Sequence, residues 1–303
     1  MAYWKNFIVF TGTALLTAGC GTSESAEDTR ETAEEIMHMH DVAFDTSGSG
    51  DPYIGTHYGL LHVDLDKQEM KWQSSPEERH DFMGFTVLED GTFLSSGHPD
   101  HSSGLDDPLG VMHSDDQGKT WNAEVLYQEV DFHQIEPAPS DQSVLYGFDS
   151  YNSTLYRSED GGMKWDTVND EAFEDIDLLE IMVHPDDENL LSAASPYGTA
   201  RSSDGGATWE TMKEGTTVLS SAPYQDGHLI YSAGEEEGWF YTEDLGETTE
   251  PYDIALPEEP VISLDINGRI FAAGGSEDSF YVSFDGGENW EVWIDKGEPV
   301  QET

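Results

Sequence analysis

Ser114–Trp121 reads SDDQGKTW, and the string returns as SEDGGMKW at Ser158–Trp165, SSDGGATW at Ser202–Trp209 and SFDGGENW at Ser283–Trp290. A worn copy, TEDLGETT, spans Thr242–Thr249, and successive copies start 44, 44, 40 and 41 residues apart. Each copy has the chemistry of a tight turn. Ser and Asp side chains accept hydrogen bonds from nearby backbone N–H groups, and Gly supplies φ > 0. The positions that carry this are Ser114, Asp116, Gly118 and Trp121, then Ser158, Asp160, Gly162 and Trp165. They continue as Ser202, Asp204, Gly206 and Trp209, and as Ser283, Asp285, Gly287 and Trp290. Such residues are read as structural, with the Trp packed between neighbouring sheets.

The flanks of each copy read as short strands, NLLSAAS then GTARSS, or RIFAAGG then FYVSF. A repeat of 40–50 residues carrying four strands is the signature of an all-β propeller. Six units fit: Ile36–Glu78, His80–Glu129, Val130–Ala172, Phe173–Thr216, Thr217–Leu256 and Pro257–Lys296. The first unit keeps only its Trp, at Trp72. The pattern S-x-D-x-G-x-T-W resembles the Asp-box, or BNR, repeat of sialidases and sortilin-type receptors, which implies a β-propeller with its boxes on one face. By that resemblance the box joins the third strand of a blade to the fourth. The start of the inner strand and the loop between the second and third strands then share the opposite face.

Outside residues 36–296 the chain reads differently. Phe7–Ala18 is an apolar run of 12 residues, too short to span a bilayer but suited to a signal peptide over residues 1–19. Ala18 and Gly19 precede the only cysteine, Cys20, in a stretch that resembles a bacterial lipobox. The resemblance implies acylation of Cys20 and an extracytoplasmic protein anchored to the membrane by lipid. Residues 20–35 have no aromatic and no large apolar side chain and read as a flexible acidic tether. Residues 297–303 read as a tail.

Asp and Glu number 63 against 12 Lys and Arg, for a formal net charge of -51. Such a surface repels nucleic acid and anionic headgroups, so nucleic acid is excluded as a partner. The acids are interleaved with aromatics along the chain, which argues for a folded acidic surface adapted to high salt.

Aligning the inner-strand starts brings out candidate site residues. HMHDVAF, DFMGFTV, DFHQIEP and DLLEIMV place His38, Asp81, Asp131 and Asp177 at one position. Two residues on stand His40, Met83, His133 and Leu179, on the same strand face. The loops between second and third strands add His57, His98 and Asp149 in the first three blades. So His38, His40, His57, Met83, His98 and His133, with Asp81 and Asp131, are expected on one sector of one face. His, Met and carboxylates there suit copper, zinc or another late first-row metal. An insertion, Gly97–Gly110, should rise over this face, and its Asp100, Asp106 and Asp107 are candidate Ca²⁺ ligands. His113 and His184 are read as structural.

From His38 to about Trp165 the chain resembles bacterial lipoproteins labelled "glycosylhydrolase", through HMHD, GTHYGL, DFMGF, SGHP and PLGVMHSDDQGKTW. The label implies glycosidase chemistry, for which Asp81, Asp131 and Glu136 are candidate carboxylates. A sialidase would need an arginine triad. Of the five arginines, Arg30 lies in the tether and Arg157 and Arg201 recur before boxes, leaving Arg79 and Arg269. Three classes of function therefore stand: binding of a metal or other ligand through the His/Met/Asp cluster, glycoside hydrolysis with a glycan partner, or docking of a protein.

Overall fold

Asp-box turns and alternating apolar strands build six blades in a computed structural model that describes residues 28–169, 176, 178–234, 237–255 and 259–300. Blade one holds β1 (Met39–Phe44), β2 (Pro52–Thr56), β3 (Gly59–Asp64) and β4 (Glu69–Trp72). Blade two holds β5 (Asp81–Val87), β6 (Phe93–His98), β7 (Val111–Ser114) and β8 (Asn122–Val125). Blade three holds β9 (Phe132–Pro137), β10 (Leu145–Asp149), β11 (Thr154–Ser158) and β12 (Asp166–Asn169). Blade four holds β13 (Glu180–His184), β14 (Asp187–Ser195), β15 (Gly198–Ser202) and β16 (Glu210–Glu214). Blade five holds β17 (Thr216–Tyr224), β18 (Gly227–Gly234), β19 (Gly238–Thr242) and β20 (Glu250–Pro251). Blade six holds β21 (Val261–Asn267), β22 (Ile270–Gly275), β23 (Phe280–Ser283), β24 (Glu291–Asp295) and the short β25 (Glu298–Pro299).

Every blade is an antiparallel meander in chain order. The inner strands β1, β5, β9, β13, β17 and β21 neighbour one another in a closed ring. Radial packing of the blades leaves each sheet with only short, protected edges. At the seam, the Val42 N–H donates to Ser263 Oγ (2.8 Å) and the Phe44 N–H to Asp265 Oδ2 (2.7 Å). Ile36, Val42 and Phe44 share a core cluster there with Ala272, Phe280 and Val282. The ends of the propeller join in as well. Thr32 bridges Lys71 of β4, the Ile36 N–H donates to Gly297 O (2.8 Å), and β25 extends β24. The last residues of the expected tether and the first of the expected tail therefore pack on the propeller. Cys20 and the signal-peptide segment lie outside the described residues.

The box turns explain why the blades form. The N–H groups of Gly118, Gly162, Gly206, Gly246 and Gly287 all donate to the Ser or Thr hydroxyl that opens their box, at 2.8–2.9 Å. Oδ1 of Asp116, Asp160, Asp204, Asp244 and Asp285 accepts the N–H four residues on, at the same distances. The worn copy at Thr242–Thr249 thus keeps the full turn, because Thr supplies the same hydroxyl as Ser. Each box Trp then leans on the preceding blade. Trp121 shares a core cluster with Leu60, Trp165 with Leu94 and Trp209 with Leu155, and Trp290 stacks on Trp239 at 6.0 Å. The core therefore lies between blades, and the box both turns a hairpin and fastens it to its neighbour.

Candidate functional site

Inner-strand bulges set the geometry of the opposite face. In β1 the register slips between Met39 and Asp41, leaving His40 as the extra residue. In β9 the same slip falls on His133, and in β5 it falls on Met83 and Gly84. A bulge re-aims the side chain it carries, and here it turns His40 and His133 towards the Asp residues that open the inner strands.

Two groups result. In the first, His57 Nδ1 lies 2.7 Å from Asp81 Oδ2 and His40 Nε2 lies 3.3 Å from Asp81 Oδ1. In the second, His133 Nε2 and His98 Nε2 lie 3.0 and 3.4 Å from the same oxygen, Asp131 Oδ2. One ligand atom from each member of either trio lies within 4.8 Å of the other two. Asp81 and His98 are cross-strand partners in β5 and β6, so the two groups flank blade two side by side. His38 stands over the first group, its ring 5.8 Å from that of His57. Met83 sits in the β5 bulge, half-buried.

The electrostatics fit cation binding. Burial works against the charge on Asp81, but hydrogen bonding and charge from His40 and His57 outweigh it and hold its pKa below the ordinary value. For His98 burial is likewise the largest influence, and Asp107, Asp131 and Asp81 overcome it to raise the pKa. Asp131 Oδ1 is buried without a hydrogen-bond donor, and Asp81 Oδ1, also buried, has only His40 Nε2 beside it at 3.3 Å. Such an atom keeps its desolvation cost unless something positive meets it.

The insertion Gly97–Gly110 does reach this face. Its three acids serve different partners: Asp100 holds Ser102, Asp106 takes Gln128 Nε2 at 2.8 Å, and Asp107 Oδ1 meets His98 Nδ1 at 2.8 Å. Two glycines of this loop differ sharply. A Cβ on Gly110 (φ +67) would meet the Val125 and Leu126 carbonyls at 2.5 Å, whereas one on Gly104 (φ +74) meets nothing within 4 Å. Gly104→Ala is therefore expected to cost only left-handed strain, roughly 1–2 kcal/mol. Gly110→Ala should add about 1–3 kcal/mol of steric conflict with backbone that cannot yield. Denaturant midpoints of the two variants measure the difference, and equal midpoints would contradict it.

A second acidic feature lies below, in the central channel, a cavity of about 300 Å³ that His40 also lines. Asp41, Glu136, Glu180 and Asp265 project into it from blades one, three, four and six. Burial pushes Asp41 up to about 7, against hydrogen bonds from Ser263, Val42 and Phe85. Burial raises Glu136 and Glu180 well above the ordinary range, and the neighbouring acids add to it. Asp265 is raised for the same first reason. Of these four the sequence names only Glu136, as a candidate glycosidase carboxylate. Asp41 and Glu180 stand three residues after His38 and Asp177, so the signal was one column away. Asp177 itself lies outside the described residues. The larger cavity, about 1010 Å³, opens at the outer seam of blades one and six and holds no histidine.

The glycosidase candidates are separated in role. Asp81 and Asp131 each close a His/Asp group, while Glu136 belongs to the channel. The arginines are dispersed: Arg79 pairs with Glu31, Arg157 with Glu159, Arg201 with Glu247, Arg30 with Asp28, and Arg269 bonds Asp285 O. His184 Nδ1 accepts the Asp186 N–H, ordering its turn as expected. His113 lies half-buried against the box of blade three, with its Nε2 3.3 Å from where a Cβ on Gly162 would sit.

Fold and turns together define a six-bladed β-propeller carrying BNR/Asp-box repeats. The BNR/Asp-box repeat family matches residues 112–123 and 281–292. No curated protein sequence matches the chain. Among solved structures, the GH74 enzyme of Niastella koreensis superposes with a TM-score of 0.62 at 12% identity, over 87% of this chain and 46% of its own. This chain therefore spans about half the length of that enzyme. YCF48 bound to D1 peptide superposes with a TM-score of 0.53 at 14% identity, over 86% of this chain and 82% of its own. A chain of a nidogen/laminin complex gives 0.60 at 9% identity, over 81% and 94%. These likenesses concern the fold.

Proposed function

We propose that this protein is an extracytoplasmic propeller, anchored by lipid at Cys20, that binds a divalent first-row metal on the face of blades one to three. His40, His57 and Asp81 hold one ion, and His98, Asp131 and His133 hold another. The observation that carries this reading is the repetition of a His₂Asp trio whose ligand atoms converge within 4.8 Å. Two imidazoles and a carboxylate suit zinc or a similar divalent ion, and leave coordination positions open. Those open positions, on a face rimmed by the insertion, are where an external ligand would join the ion. The ligand classes are a glycan or a protein, since structural neighbours include a GH74 enzyme and a propeller bound to a peptide.

The test is metal analysis of untagged protein after exposure to zinc, copper, manganese or calcium and exhaustive dialysis. Retention of one to two equivalents of a transition metal supports the reading. Retention of none, with the fold intact, overturns it.

A further inference from the structure

The two trios are alike in composition but not in support. In the first, Asp81 is the only carboxylate in contact with His40 or His57 among the described residues. In the second, a carboxylate from outside the trio takes hold of one histidine. Asp107 Oδ1 lies 2.8 Å from His98 Nδ1, while His98 Nε2 faces Asp131 Oδ2 at 3.4 Å. A proton on Nδ1, donated to Asp107, leaves the Nε2 lone pair directed into the trio.

Asp107 is itself fixed from both sides. The residue before it bonds Tyr127 and Gln128: the Asp106 N–H donates to Tyr127 Oη (2.5 Å) and Asp106 Oδ2 accepts from Gln128 Nε2 (2.8 Å). After it, Pro108 O accepts the Gln128 N–H (3.0 Å) and the Leu109 N–H donates to Gly97 O (2.9 Å). The trio rests on a firm base too. Asp131 is 6% exposed, its N–H donates to Asp149 Oδ1 (3.2 Å), and the Phe132 N–H donates to Ser96 Oγ (2.9 Å). Ligands held in place before binding lose less freedom on binding.

We infer that His98, Asp131 and His133 form the tighter of two unequal metal centres, and that Asp107 of the insertion is the positioning residue that makes them so. This rests on the metal-binding reading above. The insertion thereby becomes part of the centre: the loop that rims the face also sets the tautomer and orientation of a ligand. An outer carboxylate of this kind is worth roughly 10–100-fold in metal affinity.

The experiment is titration of the full-length protein with Co²⁺, followed by visible absorption, which reports coordination geometry as well as occupancy. The parent is expected to show a tight and a weak binding event. Asp107→Ala should weaken the tight event by 10–100-fold and leave the weak one unchanged, and His40→Ala should remove only the weak one. Asp107→Asn retains an acceptor for the His98 N–H, so its loss should be smaller than that of Asp107→Ala. Asp100→Ala, elsewhere in the insertion where its carboxylate holds Ser102, should leave the tight event within a few-fold of the parent, which separates positioning from loop damage. Unchanged tight binding in both Asp107 variants overturns the inference while leaving the metal reading intact, as does equal weakening of both events. Absence of any Co²⁺ binding by the parent overturns both.

Discussion

Thermal stability should be higher at pH 6 than at pH 8, by several degrees, and Asp41→Asn should narrow that gap. The cause is the channel. Asp41 titrates at about 7 in the folded protein against an ordinary 3.8, so between those values the folded state binds more protons than the unfolded chain. Stability is then lost as pH rises from 3.8 through 7. From pH 6 to pH 8 Asp41 alone accounts for about 1–2 kcal/mol, as a ceiling, because the channel admits water. Glu136 and Glu180 act in the same direction. Buried histidines oppose them: burial lowers His228 to about 4, with His184 adding to the effect, and lowers His62, His80 and His113 as well. Their sign is reversed, so they cost stability as pH falls below 6.5 and offset part of the channel's gain at pH 6. A melting temperature that climbs from pH 6 to pH 8, or an Asp41→Asn protein with the parent's pH profile, would contradict this account.

Salt should have the other large effect. At a net charge of -51 the folded surface repels itself, and the Debye length falls from about 10 Å at 0.1 M to about 3 Å at 1 M salt. Compaction brings those charges together, so the folded state gains more from screening than the expanded chain does. Refolding yield and melting temperature are expected to rise steeply between dilute buffer and molar KCl, and to level off once the Debye length drops below the spacing of neighbouring carboxylates. Equal refolding in both conditions would show that the acidic surface is not a salt adaptation.

The fold was legible because its signal is local. A box is eight consecutive residues whose hydrogen bonds close on themselves, so SDDQGKTW announces its own turn, and even TEDLGETT retains the hydroxyl and carboxylate that matter. The face of the site was legible for a related reason: blade units align, and His40, His57, His98 and His133 fall in matching columns. What the columns hid is long-range or irregular. A bulge at His40 or His133 is a slip of pairing, which no residue type announces. The sequence offers Asp107 only as one of three candidate Ca²⁺ ligands, because acids in a loop look alike. Only the path of the insertion shows that it faces His98 while Asp106 turns to Gln128. The edge of the propeller was misplaced for the same reason. Thr32 and Ala33 carry no strong strand signal, yet their backbone lies along β4.

The central claim, that the two His/Asp trios are metal centres, is tested most directly by metal content in the parent and in the His40→Ala/His98→Ala/His133→Ala protein. All three side chains are half-buried at strand ends, and none belongs to an inter-blade core cluster, so the variant should keep the parent's circular dichroism and cooperative melt. The expected result is stoichiometric transition metal in the parent and none in the variant. Equal metal in both proteins, or none in either after exposure to zinc, copper and manganese, would contradict the account.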